Sequence, residues 1–67
     1  MTEHAKSVLT FLQSLDQAGK TFTLSEISKI GEMNSTLAKS VVNELERNGY
    51  IEIAQTYISG NNAYRLV

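Results

Sequence analysis

Short polar and basic side chains recur between Ser35 and Arg47, and their types suit hydrogen bonding to an anionic surface. When the segment is placed on a helix that turns by about 100° per residue, they share one side. This set, called the recognition face below, consists of Ser35, Thr36, Lys39, Ser40, Asn43 and Arg47. Lys39 can contact a guanine edge or a phosphate, and Asn43 can form two hydrogen bonds with adenine. The pattern therefore has the side chains that a DNA-contacting helix needs.

The opposite side of the same segment is apolar, and the centre of the recognition face carries no carboxylate. The apolar stripe consists of Leu37, Ala38, Val41, Val42 and Leu45. Glu44 and Glu46 lie at the margins, toward the C-terminal end, whereas a major-groove helix brings its N-terminal half closest to the phosphates. The segment alone leaves three uses open for the polar side, namely a DNA groove, a docked protein or solvent.

Two further helices and a short strand are expected before this segment. Apolar residues at i, i+3, i+4 and i+7 predict a first helix over residues 2–18, followed by a short edge strand at residues 21–23. Thr23 and Glu26 have the spacing of a capping box, which predicts a second helix with Leu24, Ile27 and Ile30 facing inward. Gly31 ends that helix, and Asn34 or Ser35 caps the third.

A β-hairpin is expected after the third helix, which ends near Asn48. The stretch "YIEIAQTYI" places Ile51 and Ile53 on one face of a strand, and "AYRLV" places Tyr64 and Leu66 on one face of the returning strand. Each of the four glycines (Gly19, Gly31, Gly49 and Gly60) closes a periodic segment, where positive φ is expected. The order predicts an α+β winged helix-turn-helix, with three helices and a small antiparallel hairpin, called the wing below.

The expected contact residues of the wing are less clearly suited to DNA than those of the third helix. They are Tyr57, Ile58, Asn61, Asn62 and Arg65. The stretch "AQTYISGNN" has no basic residue, and Arg65 is the nearest cation. Tyr57 and Ile58 are apolar groups near a turn, and they can pack on the first helix, form a dimer contact or bind a partner. All three alternatives are open at this level.

Length, composition and charge narrow the classes of protein to which the chain could belong. Sixty-seven residues predict a single domain over residues 1–67 that buries only about 60% of its unfolded surface. The net charge is −1 and the isoelectric point is about 5.7, whereas many stand-alone DNA-binding domains are basic. The opening "MTEHAKSV" is unlike a signal peptide, no apolar run could span a membrane, and cysteine is absent. We expect a cytoplasmic protein without membrane contact.

Catalysis, metal binding and cofactor binding are not expected. Zero cysteines and a single histidine, His4, provide no set of structural zinc ligands. Glu44 and Glu46 point in different directions on a helix and cannot form a catalytic pair. No general base is available to activate a serine. The glycines form no phosphate-binding motif. The sequence therefore predicts a binding protein that needs no small-molecule cofactor.

The stretch "LSEISKIGEMNSTLAKSVVNELERNGYIEI", beginning at Leu24, resembles the helix-turn-helix core of IclR-type and MarR-type regulators. The resemblance covers residues 8–67, and small pilus-operon regulators of the PapI/FaeA type share the single-domain size. It implies that five positions face DNA. These are Ser35, Thr36, Lys39, Ser40 and Asn43. The chain departs from the larger regulators in having no effector-binding domain and an uncharged wing.

Two functions are predicted. The first is a DNA-binding transcriptional regulator that contacts double-stranded DNA with the third helix in the major groove, with a homodimer as the form that gains useful affinity. The second is a protein-interaction module that docks a partner through Tyr57, Ile58 and the wing. The acid-free recognition face favours the first, and the acidic isoelectric point with an uncharged wing favours the second.

Overall fold

The computed structural model describes residues 1–15 and 20–67 and has the predicted α+β winged-helix order. The elements are α1 (Glu3–Ser14), β1 (Phe22–Thr23), α2 (Leu24–Ile30), α3 (Ser35–Arg47), β2 (Ile51–Thr56) and β3 (Asn62–Leu66). The three strands form one antiparallel sheet in the order β1-β3-β2. β2 and β3 are the predicted wing, and β1 adds the predicted edge strand.

Helix starts follow the capping residues in the sequence. Thr2 caps α1, Asn34 caps α3, and the capping box between Thr23 and Glu26 is formed in both directions. The first helix begins at Glu3 and ends at Ser14, earlier than the predicted residue 18; residues 16–18 lie outside the described part of the chain. The prediction for Gly19 lies outside it as well.

The positive φ predicted for the glycines is confirmed at Gly49 (φ 79°) and Gly60 (φ 90°), but is wrong at Gly31. Gly31 has a right-handed conformation (φ −86°), and the neighbouring Glu32 takes the positive value (φ 51°). A side chain at Gly31 would occupy the place of the terminal methyl group of Met33. That methyl group is the flexible end of a side chain, so Met33 would have to shift to admit a Cβ, and the backbone angle at Gly31 places no requirement for glycine.

The turn between α2 and α3 is fixed by both backbone and side-chain hydrogen bonds. The Met33 amide donates to the carbonyl of Ser28 (3.0 Å), and the Ser28 hydroxyl donates back to the carbonyl of Met33 (2.5 Å). Ile27 and Met33, on either side of the turn, are both buried. This arrangement fixes where α3 begins relative to α2.

One apolar core joins the helices to the sheet. Its buried members are Ala5, Val8, Leu9, Leu12, Phe22, Ile27, Met33, Ala38, Val41, Val42, Leu45 and Ile51. Ile51 and Ile53 lie on one face of β2 as predicted, but Ile53 is exposed and only Ile51 reaches the core. A bulge interrupts the pairing of β2 with β3 between Ile53 and Gln55, and Tyr57 and Ile58, which follow β2, are exposed.

Candidate nucleic-acid interface

The recognition face is solvent-exposed along the whole length of α3. All six of its residues are exposed: Ser35, Thr36, Lys39, Ser40, Asn43 and Arg47. On the opposite side of α3, Ala38, Val41, Val42 and Leu45 are each at most 2% exposed, and Leu37 is half-buried. The predicted division of this helix is confirmed, and no element of the described chain covers its polar side.

The acidic residue next to this face, Glu44, is bound to the start of α1. The Thr2 amide donates to Oε1 of Glu44 (2.8 Å), and the Thr2 hydroxyl donates to Oε2 (3.1 Å). The hydrogen bond from the Thr2 amide is the main cause that holds the pKa of Glu44 below its ordinary value of 4.5. The carboxylate thus lies at the positive end of α1 and away from the centre of the recognition face.

The N-terminus of α3 has donors available beside the recognition face. The Asn34 side chain accepts a hydrogen bond from the Leu37 amide (2.8 Å), and the Asn34 carbonyl accepts one from the Ala38 amide (2.9 Å). Within the described residues, the amides of Ser35 and Thr36 have no such acceptor. A helix N-terminus leaves these amides free to bind an anionic group such as a phosphate.

A groove of about 570 Å³, called the wing groove below, separates the start of α3 from the wing. It is lined by Thr23, Leu24, Ser25, Ser28, Lys29, Ser35, Tyr57, Ser59, Asn61 and Asn62. Among the described residues, the lining contains one cation and no carboxylate. The structure therefore brings Ser35 of the recognition face together with Tyr57, Asn61 and Asn62 of the wing.

Three polar residues of α2 were missed from the sequence. Ser25, Ser28 and Lys29 line the wing groove, whereas the sequence analysis considered α2 only for its inward-facing residues. The signal was available in the positions of Ser25 and Lys29. Each is two residues from buried Ile27, so neither shares its side of the helix, and both are exposed.

The tip of the wing presents apolar side chains to solvent. Tyr57 is 43% exposed and Ile58 is fully exposed at 108% of its reference area. Packing of these two residues into the core, one of the three alternatives from the sequence, is therefore wrong. The sequence could not decide this because the exposure of a hairpin tip depends on how the hairpin packs against the rest of the chain.

The expected wing cation, Arg65, forms an ion pair within the sheet. Its Nε donates to Oε2 of Glu52 (2.8 Å), directly across from it on β2. Both side chains are about half exposed (49% and 44%), so the pair contributes little to stability. It does offset the charge of Arg65, which leaves the wing electrically neutral.

The described residues include neither a cluster of metal-ligand side chains nor a membrane-spanning helix. Among residues 1–15 and 20–67, no three His, Cys, Asp or Glu side chains are placed to hold a metal ion. No helix in the same ranges is long and apolar enough to cross a membrane. No known family model and no curated protein matches this chain. Its function is therefore inferred from the recognition face and the wing groove.

The contact between Thr2 and Glu44 predicts a pH-dependent stability. Because the folded state lowers the pKa of Glu44, the carboxylate stabilises the fold above about pH 4.5, and this stabilisation is lost as the pH falls through the lowered value. We expect Glu44→Gln to be less stable than wild type at pH 7 and the difference to shrink toward pH 3. Urea unfolding across this pH range measures it.

Glu46→Gln is the matched control, since it removes a carboxylate from the same helix and leaves the Thr2 contact intact. At pH 7 the loss of unfolding free energy should be larger for Glu44→Gln than for Glu46→Gln. Equal losses, or a Glu44→Gln difference that is constant down to pH 3, would contradict the assigned role of Glu44.

Proposed function

We propose that this protein binds double-stranded DNA as a cytoplasmic transcriptional regulator and places α3 in the major groove. One observation carries the proposal: α3 exposes a continuous polar and basic face without a central carboxylate, while its other side is fixed in the core. The helix-turn-helix geometry places such a face against base edges. The resemblance of the stretch from Leu24 onward to known regulators supports the same assignment.

Individual roles follow from the side chains. Thr36 and Ser40 are short, which allows the helix to approach the groove floor closely. Lys39 is suited to contact a guanine edge or a phosphate, and Asn43 is suited to form hydrogen bonds with adenine. Arg47, in the last turn of α3, is suited to a phosphate. These groups bind and position DNA and have no part in a reaction, so the proposed role is non-catalytic.

The wing groove extends the same surface toward the DNA backbone. Lys29, the one cation among the described residues that line it, lies on α2 and shares the groove with Ser25 and Ser35. A phosphate lying in this groove meets hydroxyl groups and one ammonium group and no carboxylate. Lys29, Lys39 and Arg47 then neutralise about three phosphates in each protein molecule.

A single module of this size gives modest affinity. One such domain covers only about 600–1,000 Å² of protein surface on DNA, and the net charge of −1 adds no long-range attraction. We therefore propose that a homodimer or a cooperative array is the form that binds a natural site.

Replacing Lys39 by glutamate tests the proposal. Lys39→Glu removes a groove contact and adds a carboxylate that phosphates repel, so affinity for duplex DNA should fall by more than about 100-fold. Fluorescence anisotropy with a labelled duplex measures it. With about three or four phosphate contacts, log K of the wild type should fall against log salt with a slope of about −3 to −4.

Lys6→Glu is the control variant, because Lys6 is an exposed lysine on α1, beside Ser7 and Phe11 and away from α3. It changes the net charge by the same amount and should retain most of the affinity. Unaltered binding by Lys39→Glu, or an equal loss with Lys6→Glu, would remove α3 from the DNA contact.

A second candidate function is a protein-interaction module. The observation in its favour is the wing, where Ile58 is fully exposed and the single nearby cation is paired with Glu52. Exposed apolar groups on a neutral surface are typical of protein contacts. In this case Tyr57 and Ile58 dock the partner and α3 faces solvent.

Tyr57→Ala separates the two functions. Its side chain is about half exposed, so the fold should be retained, which circular dichroism can verify. If the protein is an interaction module, a two-hybrid or pull-down partner of the wild type is lost with Tyr57→Ala and retained with Lys39→Glu. A partner that is lost with Lys39→Glu and kept with Tyr57→Ala would contradict docking through the wing.

A further inference from the structure

The outer part of the wing carries no charged residue. Residues 53–64 contain neither acid nor base, and the two charges that flank this stretch, Glu52 and Arg65, are bonded to each other. A contact between this part of the wing and DNA therefore cannot depend on attraction to phosphates. It has to use shape, apolar surface and neutral hydrogen-bonding groups.

The tip is a tight and well-bonded turn. The Tyr57 amide donates to the Asn61 carbonyl (2.8 Å), and the Gly60 amide donates to the Tyr57 carbonyl (2.9 Å). These bonds enclose a three-residue hairpin loop that begins with Ile58. The Asn61 side chain also donates to the hydroxyl of Ser59 (3.3 Å). A fully exposed, branched apolar side chain thus lies on a narrow, hydrogen-bonded turn.

The tip lies on the same side of the molecule as the recognition face. Tyr57 and Ser59, which flank Ile58, line the wing groove together with Ser35 at the start of α3. When α3 occupies a major groove, the wing is therefore adjacent to the neighbouring backbone and minor groove of the same duplex.

Resting on the proposed DNA-binding function, we propose that Ile58 is an apolar wedge that enters the minor groove, separates a base step and bends the duplex. Isoleucine is among the side chains that kink DNA in this way, by about 20–90°. The free energy needed to separate two stacked base pairs is lowest at flexible pyrimidine–purine steps such as TA. Ile58 would therefore add a preference for such steps at a fixed distance from the bases contacted by α3.

The size of the apolar tip favours this role over a protein contact. A stable protein interface needs about 800 Å² on each partner, whereas the tip consists of Ile58 and part of Tyr57 surrounded by Ser59, Gly60 and Asn61. A wedge needs a single side chain on a support that enters the groove. The observed tip has that form.

Single-molecule stretching of a long duplex of mixed sequence tests the proposal, because bending proteins shorten the persistence length of bare DNA from about 50 nm. Each protein is added at a concentration that saturates the duplex, as determined by fluorescence anisotropy on the same DNA sequence. We expect the wild type to lower the apparent persistence length by at least a third. Ile58→Ser should still bind, with affinity reduced by less than about tenfold, and leave the persistence length near 50 nm. Ile58→Leu keeps a wedge and should behave as the wild type.

The outcomes distinguish the wedge from the DNA-binding function itself. The wedge proposal alone is overturned if the wild type binds and leaves the persistence length near 50 nm. It is also overturned if Ile58→Ser lowers the persistence length as much as the wild type does. In either case the tip is assigned to contact with a protein partner. A wild type that does not bind the duplex overturns both proposals. Since Ile58 makes no buried contact, a folding defect in Ile58→Ser is not expected, and circular dichroism checks it.

Discussion

Burial of one side of α3 is the constraint on which the rest of the structure depends. Ala38, Val41, Val42 and Leu45 together form the centre of a small core that has no disulfide to support it. Rotating the helix by even one residue would expose part of this stripe and bury a charged or amide side chain, at a cost of several kcal/mol. The recognition face is thus positioned by packing, and its residues are free to serve binding.

The placement of carboxylates complements this packing. Glu26 accepts hydrogen bonds from the amide and hydroxyl of Thr23, Glu44 from Thr2, and Glu52 from Arg65. Each of these acids is engaged at a helix start or across the sheet. A hydrogen bond does not remove the charge of a carboxylate, so these contacts support the proposed DNA surface by placing the three acids outside the centre of the recognition face.

Much of this architecture could be predicted because the signals are local. The capping residues Thr23 and Asn34, the periodicity of α3 and the alternation in the wing each lie within a few residues of the structure that they specify. The contact between Thr2 and Glu44 joins residues 42 positions apart, so no local pattern indicates it. The exposure of Ile58 likewise depends on how the hairpin packs against the rest of the chain. The spacing of α2 could mark Lys29 as exposed, but its place in the wing groove depends on how the wing lies beside α2.

Titration of isotopically labelled protein with mixed-sequence duplex DNA, followed by amide chemical shifts at two salt concentrations, tests the central claim most directly. We predict that the largest shifts fall on residues 35–47, with smaller ones at Lys29 and the tip of the wing, and that all of them diminish at the higher salt concentration. Shifts confined to α1, or no shifts at the lower salt concentration, would contradict the assignment of α3 as a DNA-binding helix.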